Sequence, residues 1–338
     1  MSDKKPLVSI LMAVYNGEKY LREAIESMLN QTYTNFEFLI INDGSTDKTE
    51  EIILSYKDER IRYVKNEQNL KLIASLNKGL DLAIGKYIAR MDADDISLPE
   101  RLEKQVEYLE KNPQIGVLGS WVEIIGKEEP MIIQHKTNFN DIRVELLFHN
   151  YLCHPSVIIN NLLIKKHNLK YPNFLHAEDY GLWIQVAKYG KIEILPEILL
   201  NYREHGDNIS LTLKNKQKEQ DSKIRRIQLI ELGLEFTDEL FLEYEKLIDE
   251  EIISSKQTFK ELIHLLNCIL KKLEDIHLKA VFMRELSKKL MNALLKIDWS
   301  FGLKEAFLIY FSKFKIPTRV ILHSIRKNYL NDSFNSSI

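Results

Sequence analysis

Leu7-Val8-Ser9-Ile10-Leu11-Met12-Ala13-Val14 is almost unbroken apolar sequence, and it stops at the turn pair Asn16-Gly17. A strand with one wet face alternates apolar and polar residues, so a run without alternation has to be covered on both faces. Strands of that kind belong to parallel sheets flanked by helices, which narrows the fold before anything else is read. Helical spacing follows at once in Tyr20, Leu21, Ala24, Ile25, Met28 and Leu29. Glu37-Phe38-Leu39-Ile40-Ile41 is a second such strand, ending in the turn-rich run Asn42-Asp43-Gly44-Ser45-Thr46-Asp47. Asp47 with Glu50 suits a helix start running to about Tyr56. Ile61-Arg62-Tyr63-Val64 supplies a third strand, 73–83 a helix with Leu76, Leu80 and Ala83 on one face, and Tyr87-Ile88-Ala89 a fourth strand.

This alternation predicts an α/β fold, a mostly parallel sheet flanked by helices. Ligands of such sheets bind beyond the carboxyl ends of the strands. Tyr15-Asn16, Asn42-Asp43 and Asp92-Ala93-Asp94-Asp95 all lie at those ends and should converge on one crevice. The last of these sets three carboxylates within four residues. They repel one another unless a cation sits among them or backbone groups use them. Turn chemistry alone is a plainer reading. Ser97 with Glu100 forms a capping box and Pro99 suits a first helical turn, which predicts a helix from Leu98 to about Lys111. That start does not need Asp92, Asp94 or Asp95. A hard divalent cation that keeps several waters and bridges phosphates would use them.

In the second half, Gly116–Ser120 and Val122–Ile125 read as strands, 142–147 as a helix, and His154–Ile159 as another strand. Phe174-Leu175-His176-Ala177-Glu178-Asp179 leads into an apolar helix with Leu182, Trp183, Val186 and Ala187. Ile192–Leu200 is extended, and Tyr202-Arg203-Glu204-His205 follows it. Beyond about Asn208 glycine becomes scarce and three amphipathic stripes appear, in Phe241 to Ile252, Phe259 to Leu273 and Phe282 to Leu294. The expected organisation is a catalytic domain over 1–214, a helical region over 215–330 and a disordered tail over 331–338.

The net charge of -2 on 338 residues gives no overall field for nucleic acid. Cys153 and Cys268 are far apart and outside any C-x-x-C spacing, so neither a disulfide framework nor a zinc site is expected. No run approaches the roughly 18 to 20 apolar residues of a membrane span. The expected location is cytoplasmic. Between Lys279 and Lys327 basic residues outnumber acidic ones, with Trp299, Phe301, Phe307, Tyr310, Phe311 and Phe314 interleaved. Such a segment suits a membrane-surface helix, and equally a helical bundle with solvated lysines.

Taken together, Val14-Tyr15-Asn16, Asn42–Asp47, Asp92-Ala93-Asp94-Asp95, Glu178-Asp179 and Arg203-Glu204-His205 resemble the signature of family 2 glycosyltransferases. The resemblance spans roughly residues 6–210, in order and with matching spacing. It implies a GT-A fold and transfer of a sugar from a UDP-sugar donor, with inversion at the anomeric carbon. It implies a divalent metal (Mn2+ or Mg2+) at Asp94 with Asp92 beside it, and His205 as a further metal or diphosphate contact. Asp92 would also face the donor. Asp43 would accept from the uracil N3–H, with Tyr15 stacked on the base, Asn16 beside it and Lys71 near the diphosphate. Asp179, with Glu178 as neighbour, would take the proton of the acceptor hydroxyl. The implied acceptor is a glycan or a lipid-linked glycan of a bacterial surface. Peripheral membrane contact through the basic C-terminal segment, read from its composition and outside the resemblance, would suit such an acceptor.

The residues also suit plainer roles: an Asx-turn at Asp43, a strand-end aromatic at Tyr15, a solvated Lys71, and N-capping carboxylates at Glu178 and Asp179. Two other classes fit less well. A sugar nucleotidyltransferase needs a Gly-rich basic triphosphate loop, which Tyr15-Asn16-Gly17-Glu18 is not. A binding or scaffold protein would leave Asp92, Asp94 and Asp179 unused. Neither a G-x-x-x-x-G-K-[ST] loop nor a G-x-G-x-x-G fingerprint occurs, which argues against an NTPase or a dehydrogenase.

Overall fold

The computed structural model describes residues 6–206, 213–251, 256–273 and 275–295. The disordered tail expected from Asn331, and the aromatic–basic stretch from Lys296 onward, lie outside the described residues. The chain divides into two compact units, 1–228 and 229–338.

In the first unit, strand β1 (Val8–Val14) is followed by α1 (Leu21–Leu29), β2 (Phe36–Asn42), α2 (Thr49–Ser55), β3 (Ile61–Lys65), α3 (Leu72–Leu82) and β4 (Tyr87–Arg90). Then come β5 (Ile96–Ser97), α4 (Arg101–Lys111), β6 (Ile115–Ile125), β7 (Met131–Ile133) and α5 (Phe139–Glu145). A 3-10 turn (His154–Ser156), β8 (Ile158–Asn160), α6 (Asn161–His167), α7 (Glu178–Val186), β9 (Lys191–Arg203) and α8 (Lys214–Glu231) complete the series. The strands form one sheet in the order β3-β2-β1-β4-β8-β6-β9-β5, with β7 on β6.

The parallel character expected from sequence holds for β3-β2-β1-β4 and for β6 with β9. Between these blocks β8 runs antiparallel to both β4 and β6. It is entered from the turn at His154, which lies at the carboxyl end of β4, so it can only run back down the sheet.

Period-2 geometry explains why unbroken apolar runs were needed. Ile10, Met12 and Val14 pack with Leu21, Ile25, Met28 and Leu102 on one face. Leu11 and Ile88 pack with Leu76, Leu80, Ile164, Leu182 and Trp183 on the other. Each fully buried side chain of this size contributes about 1.5–3 kcal/mol. Trp183 is core, with no exposure.

Four local expectations need correction. Ser97 and Glu100 do not form a capping box, and α4 begins at Arg101 rather than Leu98. Ser97 pairs with Leu200 in the sheet, and its hydroxyl receives the amide of Gln31. Gln31 caps the helix instead, because its Oε1 accepts from the Leu102 N–H at 3.0 Å. The two strands expected over 116–125 are one continuous strand, and His154–Ser156 is a 3-10 turn rather than strand. Helix α6, capped by the Asn160 side chain, was not foreseen.

The second unit contains α9 (Asp238–Ile248), α10 (Lys256–Lys272) and α11 (Ile276–Leu295), which pack on one another. Its core is Phe241, Tyr244, Phe259, Leu262, Leu266, Phe282 and Leu286. Arg284 and Lys288 pair with Glu285, and Lys289 donates to the Ile248 carbonyl. Among the described residues no helix is long and apolar enough to cross a membrane.

Gly85 closes the turn from α3 into β4 directly against β1. A Cβ there would sit 2.6 Å from the Ser9 nitrogen and 2.8 Å from the Val8 carbonyl carbon. Backbone cannot yield as a side-chain end can. Gly85→Ala should therefore lower stability by about 1–3 kcal/mol, measured by urea unfolding. An unchanged midpoint would show that this turn shifts freely.

Candidate active site

Because β1, β2 and β4 are parallel and in register, their carboxyl ends deliver Tyr15, Asp43 and Asp92 to the same side of the sheet. There they open into a cleft of about 550 Å3. Of the residues predicted from sequence, Tyr15, Asn16, Asp43, Lys71, Asp92, Asp94, Glu178 and His205 all line it. Asp179 does not. It lies beside Glu178 in the first turn of α7 and is 8% exposed.

The turn-rich sequence after β2 laces the floor. Asn16 takes a left-handed conformation, and its Oδ1 accepts from the Thr46 N–H at 2.9 Å. The hydroxyls of Ser45 and Thr49 receive the N–H groups of Asn16 and Gly17, and Asp47 receives that of Glu18. These residues therefore hold the β1 loop in place. Asn16 is occupied by that task even though it reaches the cleft wall.

Asp43 is only 3% exposed. Its Oδ1 accepts from the Asn66 amide at 2.7 Å and from the Leu70 N–H at 2.9 Å. This is an anchorage across to the loop after β3, not an Asx-turn. Tyr15 is 48% exposed, so it is a free-standing ring at the cleft edge rather than a strand-end core residue. Lys71 is the backbone outlier of the site. At φ 74° and ψ 161° it occupies a region that is essentially glycine-only. Its N–H donates to Asn69 Oδ1, which helps hold that strained geometry. Its ammonium has no hydrogen-bond or ion-pair partner among the described residues.

The acidic loop stands on buried cations. Arg90, 1% exposed, donates to Asp92 and to the Met91 carbonyl. Arg101 is fully buried and donates to the carbonyls of Arg90 and Val157 at 2.8 and 3.2 Å. Asp95 is turned inward, where it accepts from the Arg203 N–H at 2.8 Å. Arg203 also donates to the Asp94 carbonyl and lies 4.5 Å over the Tyr20 ring. Asp92 and Asp94 are thus the two carboxylates of the loop that face the cleft. Burial and the Asp92 charge raise the pKa of Asp94, and burial with both neighbouring carboxylates raises that of Asp95 well above its ordinary value.

Opposite the loop, His205 Nε2 lies 3.0 Å from Asp94 Oδ2, and its ring packs 5.2 Å from Tyr20. No three His, Cys, Asp or Glu side chains close on one point among the described residues. A carboxylate and an imidazole with a second carboxylate nearby form an incomplete set. That set fits a divalent cation which draws its other ligands from phosphate oxygens and water.

At the far wall, burial and the Asp179 charge push Glu178 up to about 7. Burial pushes Asp179 up to about 6, against hydrogen bonds from Asn150 and from the Tyr180 N–H. Neither carboxylate is the side-chain N-cap of α7, whose N-cap is Ala177. His154 bonds the Tyr171 hydroxyl at 2.9 Å. Lys19, Tyr20, Ser75, Leu175 and His176, not expected there from sequence, also form the cleft wall. Leu175 and His176 were within reach, since they precede Glu178 in a run already singled out. Nothing in local sequence marks Lys19 or Ser75.

Comparison with known proteins fits this geometry. The family described as Glycosyl transferase family 2 matches residues 9–167. An uncharacterized glycosyltransferase of Haemophilus influenzae is 43% identical over 236 residues, 65% of this chain and 72% of that protein. The O-antigen biosynthesis glycosyltransferase WbnJ of Escherichia coli is 35% identical over 210 residues, 59% of this chain and 80% of WbnJ. In structure the chain resembles S. aureus TarS 1-349 in complex with UDP-GlcNAc, at a TM-score of 0.58 and 17% identity. That match covers 85% of this chain and 88% of the other, and the shared fold is GT-A. With its sheet, its cleft and its relatives in agreement, the chain belongs to glycosyltransferase family 2.

Proposed function

We propose that this glycosyltransferase is inverting and metal-dependent, and moves a sugar from a UDP-sugar to a hydroxyl of a glycan or lipid-linked glycan during surface-polysaccharide assembly. One observation carries the reading. A single cleft joins Asp43 and Tyr15 at one end, Asp92, Asp94 and His205 along its side, and Glu178, with Asp179 behind it, at the other. The likeness to an O-antigen enzyme and to a fold solved with UDP-GlcNAc supports the acceptor and donor classes.

In this reading Asp43, held by Asn66 and Leu70, presents its second oxygen to the N3–H of uracil, and Tyr15 stacks on the base. Lys71 and His205 meet the diphosphate. Asp94 and His205, with Asp92 beside them, would hold a divalent metal, which when bound supplies charge neutralisation for the leaving diphosphate. The acceptor oxygen attacks the anomeric carbon from the face opposite the diphosphate. As that C–O bond forms, the anomeric C–O bond to phosphate breaks and UDP departs with its electron pair. Asp179 takes the hydroxyl proton, and the single displacement inverts the configuration.

Nucleoside diphosphate release from a panel of UDP-, GDP- and CMP-sugars, with Mn2+, Mg2+ or EDTA, tests the class. Slow metal-dependent release from one UDP-sugar is expected, and metal-independent release from a GDP-sugar would overturn both donor and metal. Asp94→Asn should lower turnover by about 100-fold or more with unfolding unchanged. Asp179→Asn should lower kcat by about 100-fold or more while UDP affinity stays put.

Glu178 and Asp179 titrate as a pair, so the pH profile reports both. The proton acceptor must be ionised, and burial raises both groups. Activity should therefore be lost as pH falls through about 7 to 6, not near the ordinary carboxylate value of about 4. A kcat still flat at about pH 5 would remove this pair from the chemistry.

Lys71 offers a separate test. Its backbone strain costs about 1–3 kcal/mol, of which glycine's extra chain entropy would offset about 0.5–1. Lys71→Gly should raise the unfolding midpoint and, by removing the ammonium, raise the donor KM about tenfold. A higher midpoint with unchanged KM would leave Lys71 out of donor binding.

A further inference from the structure

Asp179 is held by Asn150, a residue that no sequence motif marks. Asn150 lies in the loop between α5 and the turn at His154, and its Nδ2 donates to Asp179 Oδ2 at 2.7 Å. The other end of the same amide is committed, because Asn150 Oδ1 accepts from the Leu152 N–H at 3.3 Å. That second bond decides which way the amide faces. A flipped amide would set an oxygen against the carboxylate and an NH2 against a backbone N–H, with repulsion at both ends.

The loop itself is gripped from α8. Arg225, 5% exposed, donates to the Phe148 carbonyl at 3.0 Å. Gln228 and the Tyr180 hydroxyl both donate to the Leu146 carbonyl, at 2.8 and 2.6 Å. The backbone just before Asn150 is thereby tied to α7 and α8, and its own amide to Leu152.

We propose that Asn150 is a positioning residue for the acceptor base, presenting a fixed N–H donor that favours the ionised form of Asp179 and orients its free lone pairs. The inference rests on Asp179 being the base. A carboxylate accepts two lone-pair bonds per oxygen, and here Asn150 takes one on Oδ2, the Tyr180 N–H one on Oδ1, and the N–H of Asp179 itself also bonds the carboxylate. One acceptor position remains for an incoming hydroxyl. The charged and titratable groups around Asp179 give its anion little other help. Glu178 on its own helix and Asp92 after β4 are both acidic. Tyr171 and Cys153 are titratable neighbours held neutral by burial, and Arg90, the cation of this cluster, is hydrogen-bonded to Asp92 and acts on Glu178 and Tyr171. Among these the Asn150 amide is the side chain that bonds the anion directly.

Asn150→Leu and Asn150→Ser, compared with the unaltered enzyme and with Asp179→Asn, test this through kcat against pH, donor KM and thermal unfolding. In Asn150→Leu the acid limb of kcat should move up by about one pH unit, giving about tenfold lower turnover at about pH 6 and recovery toward about pH 9. Donor KM should not change. Asn150→Ser, which keeps a donor hydroxyl, should fall between the two. In an Asp179→Asn background Asn150→Leu should have no further effect, since the group it acts on is gone.

A limb that stays in place, a loss of rate uniform across pH, or a raised donor KM would each overturn the role of Asn150. Should Asp179→Asn keep normal turnover, the base assignment fails instead. If Asn150→Leu unfolds early, Asn150→Ser carries the same comparison of limb position.

Discussion

The acidic loop at the carboxyl end of this sheet depends on two guanidinium groups that water does not reach. Taking a cation out of water costs several kcal/mol, and a pair of like charges beside each other costs more. Arg101 shows that strain, since burial and the neighbouring Arg90 bring its pKa down to about 10. The arrangement is tolerable because it lies beneath Asp92, Asp94 and Asp95, whose mutual repulsion would otherwise spread the loop. Arg101 hydrogen-bonds carbonyls, an amide and a thioether rather than a carboxylate. Its charge therefore acts on the loop as a whole. Its place is set by the start of α4, and that start is set by Gln31, which reaches over from the end of α1. A cap thus decides where a catalytic floor can form.

This chain of dependence also explains what could be read in advance. The unbroken strands, their order along the chain and the polar clusters at their ends are local patterns, and they sufficed for the α/β sheet and for the main polar groups of the cleft wall. Tyr15, Asp43, Asp92, Asp94, Glu178 and His205 sit at strand and helix ends that periodicity locates to within a residue or two. What failed were features set by partners distant in sequence. Ser97 looks like a cap until β9 claims it for the sheet. The continuity of β6 is imposed by its long pairing with β9. Asp95 is indistinguishable from its neighbours on paper, and only the Arg203 N–H arriving from β9 turns it inward. Asn150 carries no local signal at all, because its meaning comes from a carboxylate on another helix.

The two ends of the cleft are built on different principles. At the Asp43 end, short polar side chains bond the backbone of adjacent loops, as Asn16, Ser45, Thr49 and Asp47 do. These bonds are numerous and close to strands that are buried on both faces, so this half is fixed before any ligand arrives. Lys71 can keep a glycine-like backbone there because Asn69 and Asp43 clamp the residues around it.

At the Glu178–Asp179 end the support is longer-ranged. The carboxylates stand on α7, their amide partner on the loop after α5, and that loop is gripped from α8, beyond the last strand of the sheet. Placing the boundary of the catalytic part at the end of β9 would cut this line. Through Arg225 and Gln228, the first residues of the helical sequence help to hold the group proposed to take the proton. A change in that loop would reach Glu178 and Asp179 without disturbing the lacing around Asp43.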